Sequence, residues 1–182
     1  MEGSKRQTAT QKTSDAITLL TEDHKKVKKL FKEFEALKKD KSQKNNKSSL
    51  VKEICMELTV HAQVEEEVFY PAVRGAIKDS DLMDEAEVEH AGAKVLIAQL
   101  ETMSPDEDLY DAKVKVLSEY IDHHVKEEEK EMFPEVKKTK MDMVKLGADI
   151  LKVKDRLKLE IENTAQAGKK TAVTKKQGTS SK

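Results

Sequence analysis

Two stretches of this chain carry the same side chains able to hold a cation. His61 stands four residues before Glu65 and ten before Pro71; His124, Glu128 and Pro134 repeat that spacing. One further histidine precedes each stretch, His24 and His90, so corresponding positions are offset by 66 and 63 residues. On a helix, residues i and i+4 lie one turn apart on the same face, and an imidazole and a carboxylate placed there can reach one ion together. A carboxylate has two oxygens and can bridge two cations. Imidazole with carboxylate suits iron, manganese or zinc, whereas the absence of a thiolate in the pattern fits neither iron-sulfur chemistry nor copper(I). The set His24, His61, Glu65, His90, His124 and Glu128 therefore predicts a two-metal site inside a helical bundle.

A single His-x-x-x-Glu pair would carry little weight. With 35 acidic residues among 182, a histidine meets an acid at i+4 about one time in five by chance, and a surface ion pair is the usual reason. Chance does not account for the repetition with the same proline offset, nor for each of these four histidines falling on an apolar stripe. His123 also has an acid at i+4, Glu127, but the stripe selects His124 and makes His123 a flank. Glu66, Glu67, Glu127 and Glu129 read mostly as a solvated face. Glu66, Glu89 and Tyr120 are candidates for holding the histidines from behind.

The elements that must position these groups follow from periodicity. Ile17, Leu20, His24, Val27, Phe31 and Phe34 recur at spacings of three and four, the mark of an amphipathic helix. Leu50, Ile54, Leu58, His61, Glu65, Val68 and Ala72 give a second helix, and Leu82, Ala86, His90, Ala93, Ile97 and Leu100 a third. Tyr110, Val114, Leu117, Ile121, His124, Glu128 and Met132 give a fourth, with Pro105 well placed to start it. Lys38 to Ser49 and Asp79 to Asp81 read as connections. Pro71 and Pro134 lie where each can kink or end its helix. A fifth periodic stretch, residues 141–162, predicts an added helix that docks on the bundle or offers a surface to a protein partner. Residues 1–14 and the basic tail 163–182 read as disordered.

Composition narrows the class further. Charged residues make up 38 % of the chain, Gly and Pro are few and tryptophan is absent, a profile of amphipathic helices. A net charge of −1 gives no overall attraction to nucleic acid or to an anionic membrane. No run of about 18 apolar residues is present to span a bilayer, and the polar N-terminus lacks a secretory apolar run, which predicts a cytoplasmic protein. The single cysteine, Cys55, rules out an internal disulfide and reads as a buried core thiol.

Taken together, His24, His61-x-x-x-Glu65, His90 and His124-x-x-x-Glu128, with Tyr70-Pro71 and Phe133-Pro134 after the pairs, resemble the hemerythrin-like HHE cation-binding domain over roughly Asp15 to Val136. The resemblance implies an all-α, up-down-up-down four-helix bundle over residues 15–138. It also implies two non-haem iron ions, oxo- or hydroxo-bridged, held by His24, His61, Glu65, His90, His124 and Glu128. Members of that family bind dioxygen, sense oxygen, iron or redox state, or handle peroxide and nitric oxide, so a small diatomic or peroxide ligand is expected in a sensing, scavenging or stress-response role. Oxygen-carrying hemerythrins place two histidines four apart on the third helix and an aspartate on the fourth. Here Ala86 and Lys94 flank His90 and Glu128 stands on the fourth helix, leaving an iron short of a protein ligand and weighing against reversible oxygen storage. Tyr70 or Tyr120 could fill that gap as a phenolate, although packing is the plainer role for each. Two alternatives stay open: a catalase-like or oxidase-like di-iron enzyme, and a helical interaction module with an idle or zinc-filled site.

Overall fold

The computed structural model describes residues 14–37, 43–78 and 81–177. Among them the regular elements are helical: α1 (Ala16–Leu37), α2 (Lys44–Val64), α3 (Tyr70–Val73), α4 (Asp81–Thr102), α5 (Tyr110–Glu127), α6 (Phe133–Lys137) and α7 (Met143–Gln177). Short π-helical turns, Glu65–Phe69 and Glu128–Met132, join α2 to α3 and α5 to α6. Asp15 starts α1 by accepting the Thr18 N–H at 3.0 Å and the Thr18 hydroxyl at 2.7 Å, which satisfies donors a helix start leaves free.

Four long rods form a closed ring. α1 packs on α2 and α5, and α4 packs on α2 and α5. Their direction is legible in the core, which has two parts. Leu20 of α1, Val64 of α2, Ala86 of α4 and Phe133 beyond α5 share one apolar cluster; Val27, Leu58, Ala93 and Ile121 share the other. Chain order through the clusters alternates from rod to rod, so the bundle runs up-down-up-down. The layer between the clusters is polar, and it holds the four histidines and two glutamates of the repeated pattern.

α7 lies along α1 and α2, with Leu146, Ile150 and Leu157 buried in the first cluster. It crosses the start of α1 at Gly147. A Cβ there would sit 2.3 Å from the Ser14 carbonyl oxygen, so the close approach requires glycine.

Several sequence expectations are corrected. The connection predicted over Lys38 to Ser49 is partly helix, because α2 begins at Lys44. Lys47 explains it: its ammonium pairs with Asp111 at 2.7 Å and lies 5.6 Å from the centre of the Phe34 ring, anchoring a polar first turn to two other helices. Pro105 does not open the fourth helix, which starts at Tyr110 after Leu109 takes a left-handed backbone with φ 70°. α7 runs to Gln177 instead of ending at 162, since alanine, lysine and glutamine favour helix and Gly168 alone does not stop it. The disorder expected for residues 1–13 and 178–182 lies outside the described residues.

Candidate metal centre

Each buried glutamate opens a π turn. The Tyr70 N–H bonds to the Glu65 carbonyl and the Phe133 N–H to the Glu128 carbonyl, each closing five residues instead of four. Proline follows immediately, at Pro71 and Pro134. Proline has no N–H and its ring crowds the carbonyl four residues back in an α-helix, and a wider turn just before it relieves that conflict. The wider turn also brings the aromatic residue five positions on toward the site, Tyr70 to the carboxylates and Phe133 to the His24 ring, a local distortion of the kind often found at functional sites.

The six side chains converge. His24, His61, His90 and His124 are 2–6 % exposed, Glu65 is fully buried and Glu128 is 1 % exposed. Ligating atoms fall into two sets, His24, His61, Glu65 and Glu128 in one and Glu65, His90 and His124 in the other, each set lying within 4.8 Å. Glu65 belongs to both: Oε1 is 3.2 Å from His61 Nε2, and Oε2 is 3.4 Å from His90 Nε2. Glu128 Oε2 lies 3.2 Å from His24 Nε2 and 3.5 Å from His124 Nε2.

Behind every histidine stands a carboxylate. Nδ1 of His24 donates to Glu129, of His90 to Glu66 and of His124 to Glu89, each at 2.9 Å. His61 Nδ1 lies 3.6 Å from Asp23. An ionised carboxylate only accepts, so the three hydrogen bonds place the proton on Nδ1 of His24, His90 and His124 and leave Nε2 of each neutral ring as a lone pair facing inward; His61 Nδ1 is buried with no hydrogen-bond partner. The Nε2 atoms then meet in pairs, His24 with His61 and His90 with His124, both at 3.2 Å. The facing lone pairs of His90 and His124 repel, and Glu65 Oε1 and Glu128 Oε2 are buried without a hydrogen-bond partner. One cation in each donor set would satisfy all of these atoms, and this is the arrangement of carboxylate-backed histidines that metal sites use. The donors fit two divalent first-row ions.

Protons stand in for that positive charge in part. Burial opposes charge on His24 and His124, but Glu128 and the neighbouring carboxylates outweigh it and hold both above the ordinary imidazole range. His61 is pushed down to about 4, chiefly by burial. Burial and the charge of Glu128 raise Glu65 well above the carboxylate range; Glu128 is lowered despite its burial, because His124 and His24 face it. The pair therefore titrates as a unit, with Glu65 the more readily protonated of the two.

Two of the proposed supporting groups, Glu66 and Glu89, stand behind histidines as expected. Tyr120 does not: it is 48 % exposed, lying against Gly92. Glu129, expected on a solvated face, and Asp23, which no spacing singles out, both stand behind histidines. The available signal was adjacency: Asp23 precedes His24, Glu89 precedes His90, Glu66 follows Glu65 and Glu129 follows Glu128. Tyr70 does more than pack. Its hydroxyl donates to Glu128 Oε1 at 3.0 Å and lies 3.4 Å from Glu65 Oε2; burial and these two carboxylates raise its pKa well above the ordinary phenol value, so in the metal-free chain it is a phenol. Cys55 is a buried thiol whose pKa burial pushes up to about 12.

Comparison with known proteins agrees with this geometry. Residues 15–136 match the hemerythrin HHE cation-binding domain family. The solved structure of a hemerythrin HHE cation-binding domain-containing protein from Mycobacterium kansasii superposes with a TM-score of 0.70 at 22 % identity, covering 84 % of this chain and 93 % of that one. A DNA nickase from a Nostoc species is 31 % identical over 119 residues, 63 % of this chain. The match spans only 31 % of the nickase. With the family match extending over about two-thirds of its length, the chain belongs to the hemerythrin HHE cation-binding domain family.

Proposed function

We propose that the chain holds two non-haem iron ions between its four long helices and meets dioxygen, peroxide or nitric oxide there in a sensing, scavenging or stress-response role. The observation that carries this is the sharing of Glu65 by both donor sets. His24 and His61, with Glu65 and Glu128, would hold one ion; His90 and His124, with the other oxygen of Glu65, would hold the second. Bound iron supplies redox electrons and coordination positions open to a small ligand. The second set offers three protein donors against four in the first, which leaves more of its coordination free for an exogenous group.

The chain's own residues set what can enter. A cavity of about 20 Å³ lies beside the four histidines, its remaining lining largely apolar and including Val27, Leu58, Ala93 and Ile97. It has room for about one molecule the size of water. Dioxygen, nitric oxide and hydrogen peroxide are of that scale, and an organic substrate is not. Tyr70 keeps a proton at Oη, hydrogen-bonded to Glu128, so a proton-bearing group stands beside the site; this favours the catalase-like or oxidase-like enzyme as the second reading. Among the described residues no helix is long and apolar enough to cross a membrane.

A size-selection experiment tests the proposal. The reduced, iron-loaded chain should change its visible spectrum with nitric oxide, air and hydrogen peroxide but not with tert-butyl hydroperoxide at equal concentration. Equal reaction with the bulky peroxide, or none with any of the four, would contradict it.

A further inference from the structure

The four carboxylates behind the histidines are not equally compensated. Lys154 of α7 places its ammonium on Asp23, and Lys94 pairs with Glu66 at 2.6 Å. Among the described residues neither Glu89 nor Glu129 meets a lysine or arginine. Glu89 instead faces a second histidine: Oε2 accepts from His124 Nδ1 at 2.9 Å, while Oε1 lies 3.5 Å from His123 Nε2. His123 Nε2 is also 3.1 Å from Glu127 Oε1. One ligating atom from each of Glu89, His123 and Glu127 falls within 4.8 Å of the others.

The internal duplication shows what this groove corresponds to. At an offset of 66 residues Glu89 stands where Asp23 stands, and Glu85 where Leu19 does; at 63 residues His123 replaces Val60 and Glu127 replaces Val64. In the first half Leu19, Val60 and Val64 share a buried cluster with Leu146, Ile150 and Leu157 of α7, and Lys154 from the same helix brings a cation to Asp23. In the second half the matching groove is open, with His123 66 % exposed. Its apolar positions are exchanged for an imidazole and carboxylates, and Asp84 and Glu85 line its wall. The position that an ammonium fills on one side is, on the other, surrounded by oxygens and one nitrogen.

We propose that His123, Glu89 and Glu127 form a third cation site, at the surface of the second half, that takes a divalent first-row ion such as zinc, manganese or iron(II). One imidazole and two carboxylates from two helices, open to water on the outer side, make a three-donor set of the kind such ions occupy with solvent completing the shell. His123 and Glu127 repeat the His-x-x-x-Glu spacing of the buried pairs one position earlier in the chain. Because Glu89 would offer one oxygen outward while the other holds His124, an ion here shares a carboxylate with the buried centre. The site stands on its own donors and does not require iron within.

Zinc is the probe. The full chain, first loaded with iron, is dialysed against zinc and both metals are counted by elemental analysis, in parallel with H123A and E127Q. The expected result is about one further zinc per chain, weakened at least about tenfold in H123A, as loss of even an outer partner would cause, with iron content unchanged. No further zinc, or equal binding in H123A, would overturn the proposal. Should the chain take no iron, H124A separates the sites: zinc retained in H124A but lost in H123A supports the surface site, and the reverse pattern overturns it.

Discussion

The first and second halves of the bundle present the same donors to the centre but are supported differently from outside. Behind His61, Asp23 is nearly buried and paired with Lys154; behind His124, Glu89 is 22 % exposed and faces His123. On the inner side, Tyr70 follows the first π turn and Phe133 the second. Tyr70 reaches both carboxylates, whereas Phe133 stacks on His24 with ring centres 5.8 Å apart. Duplication thus preserved what a metal needs, two imidazoles and a shared carboxylate, and left the surroundings to diverge. One half is covered by an added helix, and the other remains open.

The largest expected effect comes from removing what the halves share. Glu65→Ala should deprive both donor sets of metal, while His61→Ala and His90→Ala should each weaken mainly one. At metal about a hundredfold above its dissociation constant, binding stabilises the fold by about 2.7 kcal/mol, and that gain should vanish in Glu65→Ala; chelator-dependent thermal unfolding reads it directly. Unequal loss from the two sets on Glu65→Ala would show that the glutamate serves one half only.

Lys154→Met tests the covering helix. It leaves Asp23 without its cation, at a cost of about 1–3 kcal/mol, and hydrogen exchange should rise in α7, α1 and α2 before α4 and α5. Uniform loosening of all four rods would break the distinction between halves. Tyr70→Phe makes the two halves alike at the aromatic position and removes a hydrogen bond to a charged acceptor, an expected cost of about 1.5–3 kcal/mol in the metal-free chain. Phe133→Leu provides the control, since it removes stacking without touching either carboxylate's hydrogen bond.

The fourth prediction concerns pH. In the metal-free chain His24 and His124 are raised above the imidazole range, so their contribution to stability is complete below the unfolded value, about 6.5, and is lost as pH rises through their folded values. Glu65, also raised, adds to that loss. His61, lowered to about 4, contributes in the opposite sense as pH falls below the ordinary imidazole range. Metal binding needs the histidines neutral and strengthens as pH rises. Between about pH 6 and pH 8 the metal-free chain should therefore lose stability while the metal-loaded chain gains it, as paired denaturation curves would show. Parallel trends would mean that the buried protons do not replace the metal's charge.

The rods were legible because their apolar stripes keep the helical period through the donors themselves: His24 continues the line from Leu20 to Val27, and His124 the line from Ile121 to Glu128. The convergence of six side chains follows from that register. What escaped lies across helices or in a changed period. Glu129 backs a histidine 105 residues away, and in a chain this rich in acid its partner cannot be picked out by spacing. Tyr70 reaches Glu65 only because the π turn adds a residue to the helix, and a reading that assumes the ordinary period places the two apart. Lys44 to Ser49 looked like a linker because its helix is held by Lys47 contacts to Asp111 and Phe34, not by an apolar stripe.

The most direct test of the dinuclear reading is elemental analysis of the purified full chain after anaerobic reconstitution with iron(II) and removal of excess metal. The expected result is two irons per chain, falling sharply in Glu65→Ala and only in part in His90→Ala. No retained iron in a chain that keeps its helical content, or retention unaffected by Glu65→Ala, would contradict it.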